Sequence, residues 1–173
     1  AANGFERAGY TFVGWNTAAD GSGQAYAAGA GYTLTAGDDA LFAQWTANDG
    51  TAYTVNHYKV NAAHTAATLD NAENLKATTD ASVSATPQTI PGYTYQPLFD
   101  ENDMKTVASG TVAGDGSLVL NLYYTPDADA LAYHANGGQG TMAATEGVTD
   151  QVVEVAANGF ERAGYTFVGW NTA

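Results

Sequence analysis

The chain has 173 residues, a formal net charge of −13 at pH 7 and no cysteine. An acidic surface repels phosphate groups, which argues against nucleic acid and anionic membrane surfaces as partners. The absence of cysteine excludes catalytic thiols, thiolate metal sites and disulfides, and it points to the cytosol or a bacterial exterior. Hydrophobic residues make up 45% of the chain, enough for packed cores in one or two small domains.

The first 18 residues and the last 18 residues of the sequence are identical. Residues 1–18 spell AANGFERAGYTFVGWNTA, and residues 156–173 repeat them without a change. We therefore expect a window on a tandem array, which begins partway through one module and ends partway through its next copy. Two module types alternate in this interpretation: the first type occupies residues 1–46 and 131–173, and the second occupies residues 51–125.

Alternation of apolar and polar residues predicts strands along most of the chain. Dipeptides that favour turns, such as Asp20-Gly21 and Asp115-Gly116, stand between these segments. In chain order the predicted strands are YTFVGW (residues 10–15), LFAQW (residues 41–45), AYTVNHYKV (residues 52–60) and SLVLNLYY (residues 117–124).

One segment has the spacing of a short helix. In TLDNAENLKA, residues 68–77, Leu69, Ala72 and Leu75 are spaced three apart. Asp70 and Glu73 have the spacing of a capping box. The predicted fold class is therefore α+β and strand-dominated, with antiparallel strands and at most one brief helix.

Three stretches of the first module type carry a family resemblance. GYTFVGWNTAADGSG and YTLTAGDDALFAQW lie in residues 1–46, and YHANGGQGT opens residues 131–173. As an ordered set they resemble the Listeria–Bacteroides repeat of the internalin B-repeat type. In residues 51–125, the stretches YTVNHYKVN, IPGYTYQPL and LVLNLYYT are similar to a MucBP-type repeat of Gram-positive surface proteins.

These resemblances imply small ubiquitin-like β-grasp modules in tandem along a secreted or wall-anchored adhesin. Localisation would then be extracellular, at the bacterial cell surface or in the cell wall. The first-type segments are expected to be half-modules, because each would leave a sheet edge and an apolar face uncovered. Residues 131–155 are expected to complete residues 1–46, either within one chain or in a neighbour. The second arrangement would produce head-to-tail self-association.

Aromatic residues are the strongest candidates for ligand contact. Trp15 and Trp45 could face a glycan, because flat aromatic rings offer a stacking platform. The alternative is that they build the core, since aromatic side chains each bury about 150–250 Å² in small modules. Phe12 and Trp15 are expected on opposite faces of their strand, which would leave at most one face for a ligand.

A covalent cross-link between strands is a further hypothesis for residues 51–125. Gram-positive surface modules can join strands through a Lys–Asn isopeptide bond beside a buried acid. Lys59, on the first predicted strand, and Asn121, on the last, form the candidate pair. An intact mass without loss of ammonia would dispose of it.

Catalytic, metal and cofactor sites are not indicated by any motif. The three histidines, His57, His64 and His134, have no second ligand at metal spacing. The acidic groups lack the EF-hand pattern, and weak calcium binding at the connector PDADA, residues 126–130, is a minor alternative. No nucleophile elbow or phosphate-binding loop is present. We expect no enzymatic activity and no cofactor.

The function predicted from the sequence is that of a stalk or spacer within a bacterial cell-surface adhesin. Its partners would be the neighbouring modules of the same protein, and no membrane insertion is expected within this segment. In the alternative, the modules themselves bind host mucin glycans or extracellular-matrix proteins. An enzyme remains a third hypothesis, which requires a His–carboxylate pair in a cleft.

Overall fold

The computed structural model describes residues 3–37 and 39–172, which form strands and turns. Within these ranges there are thirteen strands and no helix. The strands in chain order are β1 (Tyr10–Asn16), β2 (Ala25–Tyr26), β3 (Phe42–Ala47), β4 (Thr51–Val60), β5 (Ala67–Ala77), β6 (Ser82–Ser84), β7 (Tyr93–Tyr95), β8 (Asp100–Glu101), β9 (Met104–Lys105), β10 (Ser109–Thr111), β11 (Val119–Pro126), β12 (Ala128–Leu131) and β13 (Thr145–Val148). The predicted dominance of strands is confirmed.

The strands form several small sheets. The largest has four strands in the order β5-β4-β11-β7, and a three-stranded sheet has the order β2-β1-β3. Two-stranded ladders join β6 to β10, β8 to β9 and β12 to β13, and each of these pairs is antiparallel. Among these three pairs, β8 and β9 are joined by a two-residue turn, a connection that antiparallel strands allow.

The chain divides into two compact units. Unit 1 takes its described residues from Ala1–Asn56, Asn71–Thr86 and Val107–Leu122, and unit 2 takes its described residues from His57–Asp70, Pro87–Thr106 and Tyr123–Ala173.

The core of unit 1 follows the predicted alternation. Leu120 and Leu122 on β11 are completely buried, whereas Val119 between Leu118 and Leu120 is 44% exposed. Tyr53 and Val55 on β4 are also buried. Successive side chains of a strand point to opposite faces, so these buried residues define the covered face of the sheet.

The core of unit 2 is an aromatic and aliphatic cluster. Val60, Phe99, Met104 and Tyr123 are buried together. The ring of Tyr58 stacks on that of Tyr123 at a centroid distance of 5.1 Å. Strand β4 therefore has buried side chains on both faces, with Tyr53 and Val55 on one and Val60 on the other.

The helix predicted over residues 68–77 is wrong, because this segment is part of strand β5. A helix of about ten residues is only marginally stable in water without tertiary support. As a strand, the segment instead forms a backbone ladder with β4. Leu69 and Leu75 are 49% and 37% exposed, so their spacing does not mark a buried helical face.

The expectation that Phe12 and Trp15 lie on opposite faces of β1 is also wrong. A β-bulge interrupts the register of β1 and β3 between Phe12 and Gly14, so that Val13 is an extra residue. A bulge shifts the alternation by one position. The rings of Phe12 and Trp15 consequently meet edge to face, with centroids 5.1 Å apart.

In the part of the chain that the structure describes, no helix is long and apolar enough to cross a membrane.

Candidate functional site

Two Gly-Tyr-Thr tripeptides begin in the same kind of tight turn, which includes their glycine and tyrosine. At the first, the Tyr10 N–H donates to the carbonyl of Arg7, and Gly9 has φ of 77°. At the second, the Tyr93 N–H donates to the carbonyl of Ile90, and Gly92 has φ of 76°. A glycine with positive φ at the third position is the signature of a type II turn.

Each tripeptide forms a joint with two other pieces of the chain. These pieces are an Asn or Asp that follows a strand, and a Thr-Asp dipeptide further along the sequence. The first joint, within unit 1, consists of Gly9-Tyr10-Thr11, Asn48 and Thr79-Asp80, and the second joint, within unit 2, consists of Gly92-Tyr93-Thr94, Asp127 and Thr149-Asp150.

In the first joint, Asn48 links the other two pieces. Its backbone N–H donates to the carbonyl of Gly9 at 2.8 Å, and its carbonyl accepts from the N–H of Thr79 at 2.9 Å. The Thr11 hydroxyl donates to the side-chain oxygen of Asn48 at 2.6 Å. Asn48 thus forms hydrogen bonds through its backbone and its side chain to both the tripeptide and the Thr-Asp dipeptide.

In the second joint, Asp127 makes the same set of bonds. Its N–H donates to the carbonyl of Gly92 at 2.8 Å, and its carbonyl accepts from the N–H of Thr149 at 2.9 Å. The Thr94 hydroxyl donates to a carboxylate oxygen of Asp127 at 2.6 Å. An Asn and an Asp are interchangeable here because each presents an acceptor oxygen at the same side-chain position.

A tyrosine–aspartate hydrogen bond closes each joint. The Tyr10 hydroxyl donates to the carboxylate of Asp80, and this bond raises the pKa of Tyr10. The Tyr93 hydroxyl donates to Asp150 at 2.9 Å. Burial, followed by that hydrogen bond, raises the pKa of Tyr93. Hydrogen bonds that involve an ionised partner are stronger than neutral ones.

Close packing at the glycine leaves no room for a side chain in either joint. A Cβ placed on Gly9 would lie 2.4 Å from Cα of Gly114 and 2.5 Å from the hydroxyl of Thr79. A Cβ on Gly92 would lie 2.6 Å from the methyl group of Thr149. The glycine in each joint therefore packs directly against the neighbouring pieces of the chain.

The joints escaped the sequence analysis, although a signal for them exists. Gly-Tyr-Thr followed by an aromatic residue begins at Gly9, Gly92 and Gly164, and Thr-Asp begins only at Thr79 and Thr149. A fourth Gly-Tyr-Thr, at Gly31, is followed by leucine. The Tyr32 hydroxyl there donates to Asp39, and no joint forms.

The candidate aromatics, Trp15 and Trp45, both lie in unit 1 and are half-buried. Phe12 connects them: its ring centroid is 5.1 Å from that of Trp15 and 5.7 Å from that of Trp45. Trp15 also lines an open groove of about 230 Å³ with Tyr26 and Tyr32. A ligand-facing role for the two tryptophans stays a prediction.

The candidate isopeptide residues each have another partner. Lys59 forms an ion pair with Asp70, with 2.8 Å between the ammonium nitrogen and the nearer carboxylate oxygen. The side-chain oxygen of Asn121 accepts a hydrogen bond from the Asn56 amide at 3.1 Å. A covalent bond between Lys59 and Asn121 stays a prediction that an intact mass would decide.

Two of the three histidines have a side-chain partner. His57 is completely buried, and its Nδ1 lies 2.8 Å from the hydroxyl of Tyr124. His64 lies 3.0 Å from a carboxylate oxygen of Glu101 on the surface. Among residues 3–37 and 39–172, no group of three His, Asp or Glu residues could hold a metal ion. The connector carboxylate of Asp127 is engaged in the second joint.

Comparison with known proteins gives one family. Residues 1–44 and 130–173 match the family model described as the Listeria–Bacteroides repeat domain, which confirms the resemblance inferred from the sequence for the first module type.

A relative from Evansella cellulosilytica, named "Putative membrane protein", is 28% identical over 126 residues. The alignment covers 64% of this chain and 19% of that protein, so the chain spans about a fifth of the relative's length. No solved structure matches the chain.

Proposed function

The chain belongs to the Listeria–Bacteroides repeat domain family, and on that premise we propose that it is a non-enzymatic stalk segment of a bacterial cell-surface adhesin. Repeat domains of this family are typical of bacterial surface proteins. We place the segment outside the cell, at the surface or in the cell wall. Its repeats would project an adhesive part of the same protein away from the cell.

The observation that carries this proposal is the recurrence of the joint. Asn48 and Asp127, which follow strands in different parts of the chain, make the same three hydrogen bonds at nearly the same distances. A short polar connector without such bonds would behave as a flexible coil. A connector whose backbone N–H and C=O are both engaged transmits orientation from one module to the next, which a stalk requires.

The finer architecture is part of the same proposal. We propose that the first-type repeats and residues 51–125 are β-grasp modules, the latter of a MucBP-like type. Tandem modules of this kind add length through repetition without new chemistry. The identity of residues 1–18 with residues 156–173 supports a recent duplication of one unit of the array.

NMR relaxation of backbone amides tests the stalk. We expect amides of β1 and β3 to report the same rotational correlation time as those of β6 and β10, because the first joint holds them together. Thr11→Val removes the hydroxyl that bonds to Asn48 and should shorten the correlation time of β1 and β3 alone. Thr166→Val, in the identical sequence of the second copy, is the matched control. Independent tumbling in the unsubstituted chain would contradict a stalk.

A second candidate function is glycan or matrix-protein binding by the modules themselves. The groove lined by Trp15, Tyr26 and Tyr32 favours it, because aromatic side chains beside an opening can stack on sugar rings. A stalk predicts no saturable binding of the chain to immobilised mucin, a glycan array or matrix proteins. Saturable binding that is lost in Trp15→Ala and kept in Trp170→Ala would establish the groove as a ligand site instead.

A further inference from the structure

The strand pairs that carry the two joints end in the same register. Strand β1 pairs with β3, and the register sets Tyr10 opposite Ala47. Strand β7 pairs with β11, and the register sets Tyr93 opposite Pro126. Ala47 and Pro126 immediately precede the Asn and the Asp that link the pieces of each joint. The tyrosine that closes a joint therefore has the same position relative to the connector in both places.

A cross-strand aromatic pair lies two residues further along each strand pair. Phe12 is opposite Trp45, with ring centroids 5.7 Å apart, and Tyr95 is opposite Tyr124, with ring centroids 5.5 Å apart. Such pairs stabilise two antiparallel strands in one register. We call these parts of the chain the strand ends: residues 9–12 with 45–48 form the first, and residues 92–95 with 124–127 form the second.

The two strand ends have one sequence pattern in common. Gly-Tyr-Thr-aromatic begins at Gly9 and at Gly92, and aromatic-Thr-x-Asn or aromatic-Thr-x-Asp begins at Trp45 and at Tyr124. The match to the family model includes Gly9 but no residue of the second strand end. The same connecting structure is therefore present in two different kinds of sequence.

The third piece of each joint is also the same kind of turn. Residues 78–81 form a turn closed by a backbone hydrogen bond of 3.0 Å, and residues 148–151 form one closed by a bond of 3.1 Å. Asp80 and Asp150 occupy the third position of these turns, with φ of 65° and 60°. Few residues other than glycine adopt positive φ, and Asn and Asp do so more often than most. We call residues 78–81 and 148–151 the receiving turns.

Few groups join a strand end to its receiving turn. One bond is between backbones: the carbonyl of Asn48 or Asp127 accepts from the threonine N–H of the turn at 2.9 Å in both joints. The other bond runs from the tyrosine hydroxyl of the strand end to the aspartate carboxylate of the turn. Because both strand ends and both receiving turns present these groups, each strand end is complementary in hydrogen bonding to either receiving turn.

We propose that the strand ends and receiving turns are interchangeable, so that residues 51–127 can be followed directly by a second copy of themselves. These residues contain one receiving turn, residues 78–81, and the second strand end. The inference rests on the stalk and its modules as proposed above and names their partner. That partner is any module that ends in Gly-Tyr-Thr-aromatic paired with aromatic-Thr-x-Asn or -Asp. A stalk with such joints can be lengthened by either type of module in any order.

A lengthened chain tests the interchange. It consists of residues 1–127 followed by residues 49–173, so that residues 49–127 occur twice in succession, as a leading copy and a trailing copy. Lys76→Arg in the trailing copy, at an exposed position, distinguishes its peptides by mass. Hydrogen exchange followed by mass spectrometry then reports the amide of Thr79 in each copy separately. In the original chain this amide donates to the carbonyl of the connector.

We expect the Thr79 amide to exchange at a similar rate in both copies. Tyr93→Phe in the leading copy removes the hydroxyl that would bond to Asp80 of the trailing copy. It should accelerate exchange of Thr79 in the trailing copy about 2-fold to 10-fold, the factor expected for the loss of one hydrogen bond. Tyr10→Phe is the matched control and should accelerate exchange in the leading copy alone, because Tyr10 bonds to its Asp80.

Three outcomes overturn the interchange and leave the stalk standing, because the joint in the original order still forms. The first is fast exchange of Thr79 in the trailing copy beside a protected leading copy. The second is a trailing copy that does not fold, measured as lost protection in its strand β5, which contains residue 76. The third is a protected trailing copy that does not respond to Tyr93→Phe. Fast exchange in both copies would overturn the interchange and the stalk together.

Discussion

Gly9→Ala is expected to open the first joint, whereas Gly164→Ala is expected to leave it intact. Both glycines have φ of 77°, so an alanine costs about 1–2 kcal/mol of backbone strain at either position. The two positions differ in space: a Cβ on Gly9 meets Gly114 at 2.4 Å, and a Cβ on Gly164 meets nothing within 4 Å. Overpacking against backbone adds about 1–3 kcal/mol at Gly9 alone.

Hydrogen exchange at the joint measures this difference. The amide of Asn48 bonds to the carbonyl of Gly9, and that of Thr79 bonds to the carbonyl of Asn48. We expect both amides to exchange about 5-fold to 150-fold faster in Gly9→Ala than in Gly164→Ala, the factor that corresponds to about 1–3 kcal/mol. Equal protection in the two variants would show that the close contact with Gly114 does not hold the joint.

Leu120→Ala is expected to destabilise the chain severely, whereas the neighbouring Val119→Ala is expected to be nearly neutral. Leu120 is completely buried, and Val119 on the same strand is 44% exposed. Removal of a buried leucine side chain costs about 2–5 kcal/mol, because the cavity is only partly refilled. An exposed substitution away from special contacts stays within about 0.5 kcal/mol.

Urea unfolding followed by circular dichroism gives the free energy of unfolding for both variants. The expected result is a lower midpoint for Leu120→Ala and an unchanged midpoint for Val119→Ala. Similar losses in the two variants would mean that the alternation along β11 does not separate a buried face from an exposed one. In that case the assignment of the unit 1 core to this strand would be wrong.

The two copies of the Gly-Tyr-Thr tripeptide that begin at Gly9 and Gly164 have different surroundings. In the first copy, Tyr10 bonds to Asp80 and Gly9 packs on Gly114. In the second copy, Tyr165 is largely exposed and Gly164 has open space around it. The same residues therefore form a closed connection at one position and an accessible surface at the other.

The sequence by itself determined the repeat, the family and the local geometry. The duplicated segment and its ordered motifs indicated the Listeria–Bacteroides repeat in residues 1–46 and 131–173, and the family model matches residues 1–44 and 130–173. Period-two alternation predicted strand β11. The identical sequence around Gly9 and Gly164 forms the same turn at both places, although the surroundings differ. These features depend on steric preferences and side-chain alternation within a few residues, which a short window of sequence contains.

Tertiary structure decided the remaining features, because their partners are distant in the chain or depend on register. Residues 68–77 form a strand since β4 offers them a hydrogen-bonding edge, and the bulge at Val13 puts Phe12 and Trp15 on one face because β3 sets the register. The joint unites Tyr10 with Asp80, 70 residues away. Which donor meets which acceptor over such a separation is fixed only when the sheets have packed.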